Sequence, residues 1–141
     1  MTDDGYAGDV TPKKAWEMLA KEADAVLIDV RTNAEWGFVG IPDLSELGKE
    51  LVRVPWQQFP TMELNDDFAG QVTENGVERS SPLLFICRSG QRSQSAALAM
   101  TAAGYGPCYN VSDGFEGPPD AERHRGTVAG WKVDGLPWRQ G

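Results

Sequence analysis

The run Leu83-Leu84-Phe85-Ile86-Cys87-Arg88-Ser89-Gly90-Gln91-Arg92-Ser93 constrains this chain more than any other stretch. Four apolar residues in a row predict a short strand buried on both faces. The strand ends at Cys87, and a polar loop with one glycine and two arginines follows. Residues 93–103 are mostly small, are closed by Gly104, and predict a helix. A strand that turns tightly into a helix gathers unpaired backbone N–H groups at one point, where an anion is stabilised. A thiolate is an anion, so Cys87 is the candidate nucleophile. The N–H groups from Arg88 to Ser93 are expected around its sulfur, with Gly90 permitting the tight loop.

The second cysteine reads differently. Cys108, in Gly-Pro-Cys-Tyr-Asn-Val, lies inside an apolar run with no arginine beside it and is expected to be a buried structural thiol. Two cysteines in such unlike settings do not form a disulfide framework, and a reactive thiol is kept most easily in a reducing compartment. The remaining loop residues, Arg88, Ser89, Gly90, Gln91, Arg92 and Ser93, form the candidate substrate-binding set. Arg88 is expected to contact an anionic substrate. Arg92 serves equally as a substrate contact or as a salt bridge holding the loop, and Ser93 as a sulfur contact or, more simply, a helix cap. Spacing narrows the chemistry. A phosphatase loop of the form Cys-x5-Arg needs arginine six residues after the nucleophile, but position 93 is serine and the arginine falls at 92. The shorter loop suits a terminal sulfur atom better than a tetrahedral phosphate.

The rest of the chain predicts an α/β fold with a central, mostly parallel sheet of about five strands and helices on both faces. Residues 1–9 are polar and expected to form a loose arm, with one domain over 10–141. Thr11-Pro12 marks a helix start, and the helix runs to about Lys21 with Ala15, Trp16, Leu19 and Ala20 on its apolar face. Residues 25–30 predict a buried strand. At its C-terminal end Asp29 and Arg31 are expected to brace a loop as an ion pair, with Glu35 extending the brace. Residues 50–56 predict another strand ended by Pro55, residues 60–71 a helix, and residues 105–111 the last strand. The glycines of Asp113-Gly114-Phe115-Glu116-Gly117 either bring backbone close to the Cys87 loop or make a turn.

Composition excludes several function classes. A net charge of −8 with no basic block argues against a nucleic-acid surface. No apolar run approaches the roughly 20 residues that span a bilayer. The N-terminus carries no apolar signal core, so a cytoplasmic protein is expected. One histidine, His124, in a charged Glu-Arg-His-Arg context, and two separated cysteines do not make a metal site. No nucleotide-binding glycine motif is present, so no cofactor is expected. His124 is a poor candidate base for Cys87.

The Cys-Arg-Ser-Gly-Gln-Arg-Ser loop after an apolar strand resembles the active-site loop of single-domain rhodanese-like sulfurtransferases. Leu27-Ile28-Asp29-Val30-Arg31-Thr32-Asn33-Ala34-Glu35-Trp36 is similar to that family's early Asp-Val-Arg-x-x-x-Glu-aromatic motif. Residues 109–117 resemble its late strand and glycine turn, and residues 130–138 its tail. The chain departs from the family at Gly40-Ile41-Pro42-Asp43-Leu44, where many members have His-Ile-Pro-Gly-Ala. The resemblance implies transfer of a sulfane sulfur through a Cys87 persulfide. The donor would be a small anion such as thiosulfate; the acceptor would be a protein or small thiol, or cyanide in an assay. A non-catalytic module on the same fold, or a phosphatase-like or oxyanion-reducing enzyme, are the alternatives. The intact cysteine counts against the first and the short loop against the second.

Overall fold

Side chains that alternate along the buried strands feed two separate cores. The structure is a computed structural model that describes residues 5–58 and 60–140. In chain order its elements begin β1 (Gly8–Val10), α1 (Pro12–Lys21), β2 (Val26–Asp29), α2 (Asn33–Val39), β3 (Ile41–Pro42) and β4 (Val52–Arg53). They continue β5 (Gln57–Gln58), β6 (Glu63–Leu64), α3 (Phe68–Glu74), β7 (Leu83–Ile86), α4 (Gln91–Ala102), β8 (Cys108–Val111) and β9 (Trp138–Arg139). Five strands pair in parallel in the order β1-β8-β7-β2-β4. Ile28, Leu83, Phe85 and Cys87 face Phe68 and Val72 of α3 and Ala96, Ala97 and Met100 of α4. Leu27, Leu84 and Ile86 face Ala15 and Leu19 of α1, together with Phe115 and Trp131 of the C-terminal segment. Both faces of the sheet are covered, as continuous apolar strands require. Full burial of side chains such as Phe85 and Leu84 contributes about 1.5–3 kcal/mol each.

The central strand holds the organising position. β7 lies between β2 and β8, so its C-terminal end, where Cys87 follows, is flanked on both sides. Helix α1 starts as its sequence dictates, with the Thr11 hydroxyl accepting from the Lys14 N–H and Pro12 in the first turn. Ala20, expected on its apolar face, is exposed. Helix α2 opens with a reciprocal cap: the Thr32 hydroxyl accepts from the Glu35 N–H, and the Glu35 carboxylate accepts from the Thr32 N–H.

Several boundaries differ from expectation. The expected loose arm does not reach residues 8 and 9, because β1 pairs along the sheet edge with β8; residues 1–4 of that arm lie outside the described residues. The strand expected over 50–56 is confined to β4, although the N–H groups of Val54 and Trp56 still donate to the Asp29 and Val30 carbonyls. The helix expected over 60–71 starts only at Phe68. Asn65 prevents an earlier start: its side chain accepts from the Asp67 N–H and donates to the Pro55 carbonyl and Gln71, fixing a turn. Before that turn, β5 and β6 form a small antiparallel pair. The last parallel strand begins at Cys108, and β9 follows it, pairing antiparallel with β3. At the point of departure from the family pattern, Trp138 of β9 packs so close to Gly40 that a Cβ there would lie 2.7 Å from its ring. No helix among the described residues is long and apolar enough to cross a membrane.

Candidate active site

Helix α4 begins two residues earlier than its small-residue pattern suggests, and this decides the chemistry around Cys87. Gly90 is its N-cap residue, with φ +104°, and Gln91 its first helical residue. Ser93 is therefore inside the first turn and buried rather than a cap. Its N–H, one of those a helix leaves unpaired, points at the Cys87 sulfur at 3.3 Å, and the Gly90 N–H reaches the same sulfur at 3.1 Å. The thiol sulfur thus takes the position of a capping oxygen. A side chain at position 90 is excluded twice, by the positive φ and by the Ser112 carbonyl oxygen, 2.2 Å from where its Cβ would be.

A second loop clamps the first from above. The N–H of Phe115 donates to the Cys87 carbonyl, and those of Glu116 and Gly117 donate to the Arg88 carbonyl. Gly114 makes this approach possible: a Cβ there would lie 2.5 Å from the Arg88 carbonyl oxygen. Both readings of this glycine segment are realised: the Gly114 N–H donates to the Val111 carbonyl in a turn, and the turn carries the backbone past the Cys87 loop.

The charged groups divide into a buried brace and a cleft wall. Asp29 and Arg31 are fully buried, with Arg31 Nη2 2.6 Å from Asp29 Oδ2 and 2.7 Å from the Gly40 carbonyl oxygen. The Arg31 guanidinium also lies 4.3 Å from the Phe115 ring centroid, where the ring face favours a cation. This is the loop brace expected from the sequence. Glu35 does not extend it. Its carboxylate instead makes a bidentate pair with Arg92, at 2.7 and 2.9 Å, and ties α2 to the start of α4. Burial disfavours the charged Glu35, but the Arg92 hydrogen bonds and charge, helped by Thr32, outweigh it and hold its carboxyl at about 2. Hydrogen bonding to Glu35 raises the pKa of Arg92 against the opposing effect of burial; the Glu35 charge and, to a lesser degree, the Cys87 sulfur and Asp29 raise it further. Arg92 is thereby used in a salt bridge within electrostatic reach of Cys87.

An open cleft of about 530 Å³ lies beside this pair, lined by residues including Glu35, Arg88, Gln91, Arg92 and Glu116. Arg88 and Gln91 are exposed there, and Ser89 is half-buried. Arg88 makes no ion pair among the described residues. Cys87 itself is only 1% exposed, beneath the loop. Cys108 is a structural thiol: it is buried, donates to the Tyr105 carbonyl at 3.5 Å, and burial pushes its pKa up. His124 is exposed in a turn held by Asp120 and makes no hydrogen bond to Cys87.

Ser93 makes the sulfur contact that was one of its two expected roles, but sequence reading missed the residues behind it, Asn110 and Asp9. Ser93 Oγ is 3.2 Å from Cys87 Sγ and 2.5 Å from Asn110 Oδ1, and Asn110 Nδ2 donates to Asp9 Oδ1 at 3.0 Å. The only hint in the sequence is a polar residue, Asn110, within an apolar strand.

The family described as STR4 middle domain matches residues 7–141. An uncharacterized protein of Rickettsia conorii, RC0915, is 40% identical over 127 residues, covering 89% of this chain and 92% of its own. A sulfurtransferase of Allochromatium vinosum is 28% identical over 99 residues, covering 70% of this chain and 76% of its own. The crystal structure of Rv0390 from M. tuberculosis superposes with a TM-score of 0.89 at 54% identity, covering 96% of this chain and 99% of that one. The polysulfide-sulfur transferase homodimer of Wolinella succinogenes shares the fold, with a TM-score of 0.64 at 20% identity over 96% of this chain and 79% of that one. Because the match runs over nearly the whole chain, residues 7–141, the chain belongs to the STR4 middle domain family.

Proposed function

We propose that this protein is a sulfurtransferase that carries a sulfane sulfur on Cys87. The Cys87 thiolate attacks the outer sulfur of a small anionic donor such as thiosulfate. The S–S bond of the donor breaks, its electron pair leaves with sulfite, and the enzyme holds a persulfide. A nucleophilic acceptor, a protein or small thiol, or cyanide in an assay, then takes the outer sulfur and releases the thiolate. Two successive displacements imply ping-pong kinetics. The observation that carries this reading is the Cys87 sulfur accepting the Gly90 and Ser93 N–H groups at the start of α4. Donors aimed at sulfur stabilise it as nucleophile and as leaving group. Arg88, at the cleft, is the group that attracts the donor, with Gln91 and Ser89 beside it. Arg92, held bidentately by Glu35, is occupied where a phosphatase would need it free to clamp its substrate. We assign the reaction to a reducing compartment such as the cytoplasm, where the thiol persists.

Mass spectrometry of the intact protein after thiosulfate treatment tests this. One added sulfur on Cys87, removed by cyanide, is expected. Cys87→Ser should abolish both the adduct and thiosulfate:cyanide turnover, since serine cannot carry a sulfane sulfur. Cys108→Ser should keep turnover within about twofold, as expected for a buried thiol outside the site. A folded wild-type protein that never gains sulfur would overturn the reading.

A further inference from the structure

The polar chain behind Cys87 runs from the buried sulfur to the protein surface. Asp9 Oδ1 accepts from Asn110 Nδ2 and, at 2.8 Å, from the Tyr6 hydroxyl. Two donors on one oxygen are what an ionised, acceptor-only carboxylate attracts. Asp9 therefore orients the Asn110 amide: turned over, the amide would set its carbonyl oxygen against the carboxylate. So oriented, Asn110 presents Oδ1 to Ser93 and takes the hydroxyl hydrogen at 2.5 Å. A serine hydroxyl has one hydrogen. With that hydrogen on Asn110, the Ser93 oxygen offers a lone pair to the Cys87 sulfur 3.2 Å away. It then accepts from a thiol but gives nothing to a thiolate. To donate to a thiolate, Ser93 must withdraw its hydrogen from a buried carbonyl oxygen and leave that oxygen unpaired, which is unfavourable.

We propose that Asn110 and Asp9 are positioning residues that hold the Ser93 hydroxyl as a hydrogen-bond acceptor toward Cys87, capping the nucleophile in the resting site. This rests on Cys87 being the nucleophile. The relay lets the surface carboxylate of Asp9 on β1 act through Asn110 on β8 to set how readily the sulfur at the end of β7, two strands away, loses its proton. Other charged groups on the elements around Cys87 are Arg88 in its loop, Arg92 on α4, Asp29 at the end of β2, Arg31 after it, Glu35 on α2, and Asp113 and Glu116 in the clamping loop. All of them are unchanged in the variants compared.

The test is the pH profile of Cys87 alkylation by iodoacetamide in the full chain carrying Cys108→Ser. It reads the sulfur directly, so it stands even if the protein never transfers sulfur. Asp9→Asn can face Asn110 as donor or acceptor, letting the amide turn over and Ser93 donate to the thiolate. The profile should move to lower pH, with alkylation at about pH 6.5 rising roughly threefold, the equivalent of half a pK unit. In a Ser93→Ala background the same substitution should change the rate by less than about 1.3-fold, because the coupling passes through the hydroxyl. Asn110→Ala interrupts the chain at its other link and should silence Asp9→Asn in the same way. An unmoved profile in Asp9→Asn overturns the proposal. So does an equal shift with and without the Ser93 hydroxyl, which would mark a through-space charge effect.

Discussion

The pair formed by Glu35 and Arg92 makes a prediction at the scale of single residues. The side chains are 20% and 16% exposed, so most of the interaction escapes solvent screening. The Glu35 carboxyl falls from 4.5 to about 2 on folding. A depressed carboxyl contributes stability that is fully present above its unfolded value and is lost as pH falls through the folded one. Glu35→Gln is therefore expected to lower stability by about 2 kcal/mol at neutral pH, after allowance for partial exposure. The gap between wild type and variant should stay constant above about pH 5 and close as pH falls toward about 2. Urea denaturation midpoints across that range measure it; a gap that widens in acid would contradict the pairing. Arg88 differs from Arg92 in having no carboxylate partner among the described residues, and electrostatic attraction of the donor is its proposed role.

At the scale of elements, the site is one turn of backbone pressed between two others. The clamp of residues 114–117 over Cys87 and Arg88 depends on Gly114, whose φ of +67° and lack of Cβ both matter. Gly114→Ala should cost more than about 2 kcal/mol, combining left-handed strain with a backbone clash. It should also depress sulfur transfer at least tenfold, because the carbonyls of Cys87 and Arg88 lose their anchors. Gly135→Ala is the control: its φ is +77°, but nothing lies within 4 Å of a new Cβ. It should cost only about 1 kcal/mol and leave turnover unchanged. Thermal melts and steady-state rates on the two variants separate strain from contact; equal effects would remove the clamp from the account.

At the scale of the whole molecule, charge sets the conditions for an anionic donor. A net charge of −8 repels anions at long range, so the proposed anionic donor requires local positive charge at the cleft to offset it. Arg88→Ala should raise KM for thiosulfate about fivefold, the loss expected of one exposed charge–charge contact of about 1 kcal/mol, with kcat changed less. A neutral sulfur donor should show no such rise. The difference between wild type and variant should narrow at high salt, where the screening length drops to about 3 Å at 1 M. Equal losses with charged and neutral donors would assign Arg88 to loop structure instead.

What the sequence by itself determined is everything whose cause is local. Four-residue apolar runs cannot hide from water unless covered on both sides, which gives parallel central strands and two cores. The turn from Ile86 through Gly90 into a small-residue helix sets N–H groups around Cys87 because a helix start always leaves them unpaired. Thr11-Pro12 and the Asp29–Arg31 brace lie within a few residues of what they contact. Only the tertiary structure decided the contacts between groups far apart in the chain. Glu35 and Arg92 are 57 residues apart, and Asn110 and Asp9 are 101. Nothing in a charged or polar residue's neighbours states which distant partner the sheet order will bring to it. β1 beside β8 delivers Asp9 to Asn110, and the packing of α2 beside the α4 start delivers Glu35 to Arg92. Local pattern specifies elements because hydrophobic periodicity and caps act over one or two turns. Partners across the fold emerge only once burial has fixed which strand lies beside which.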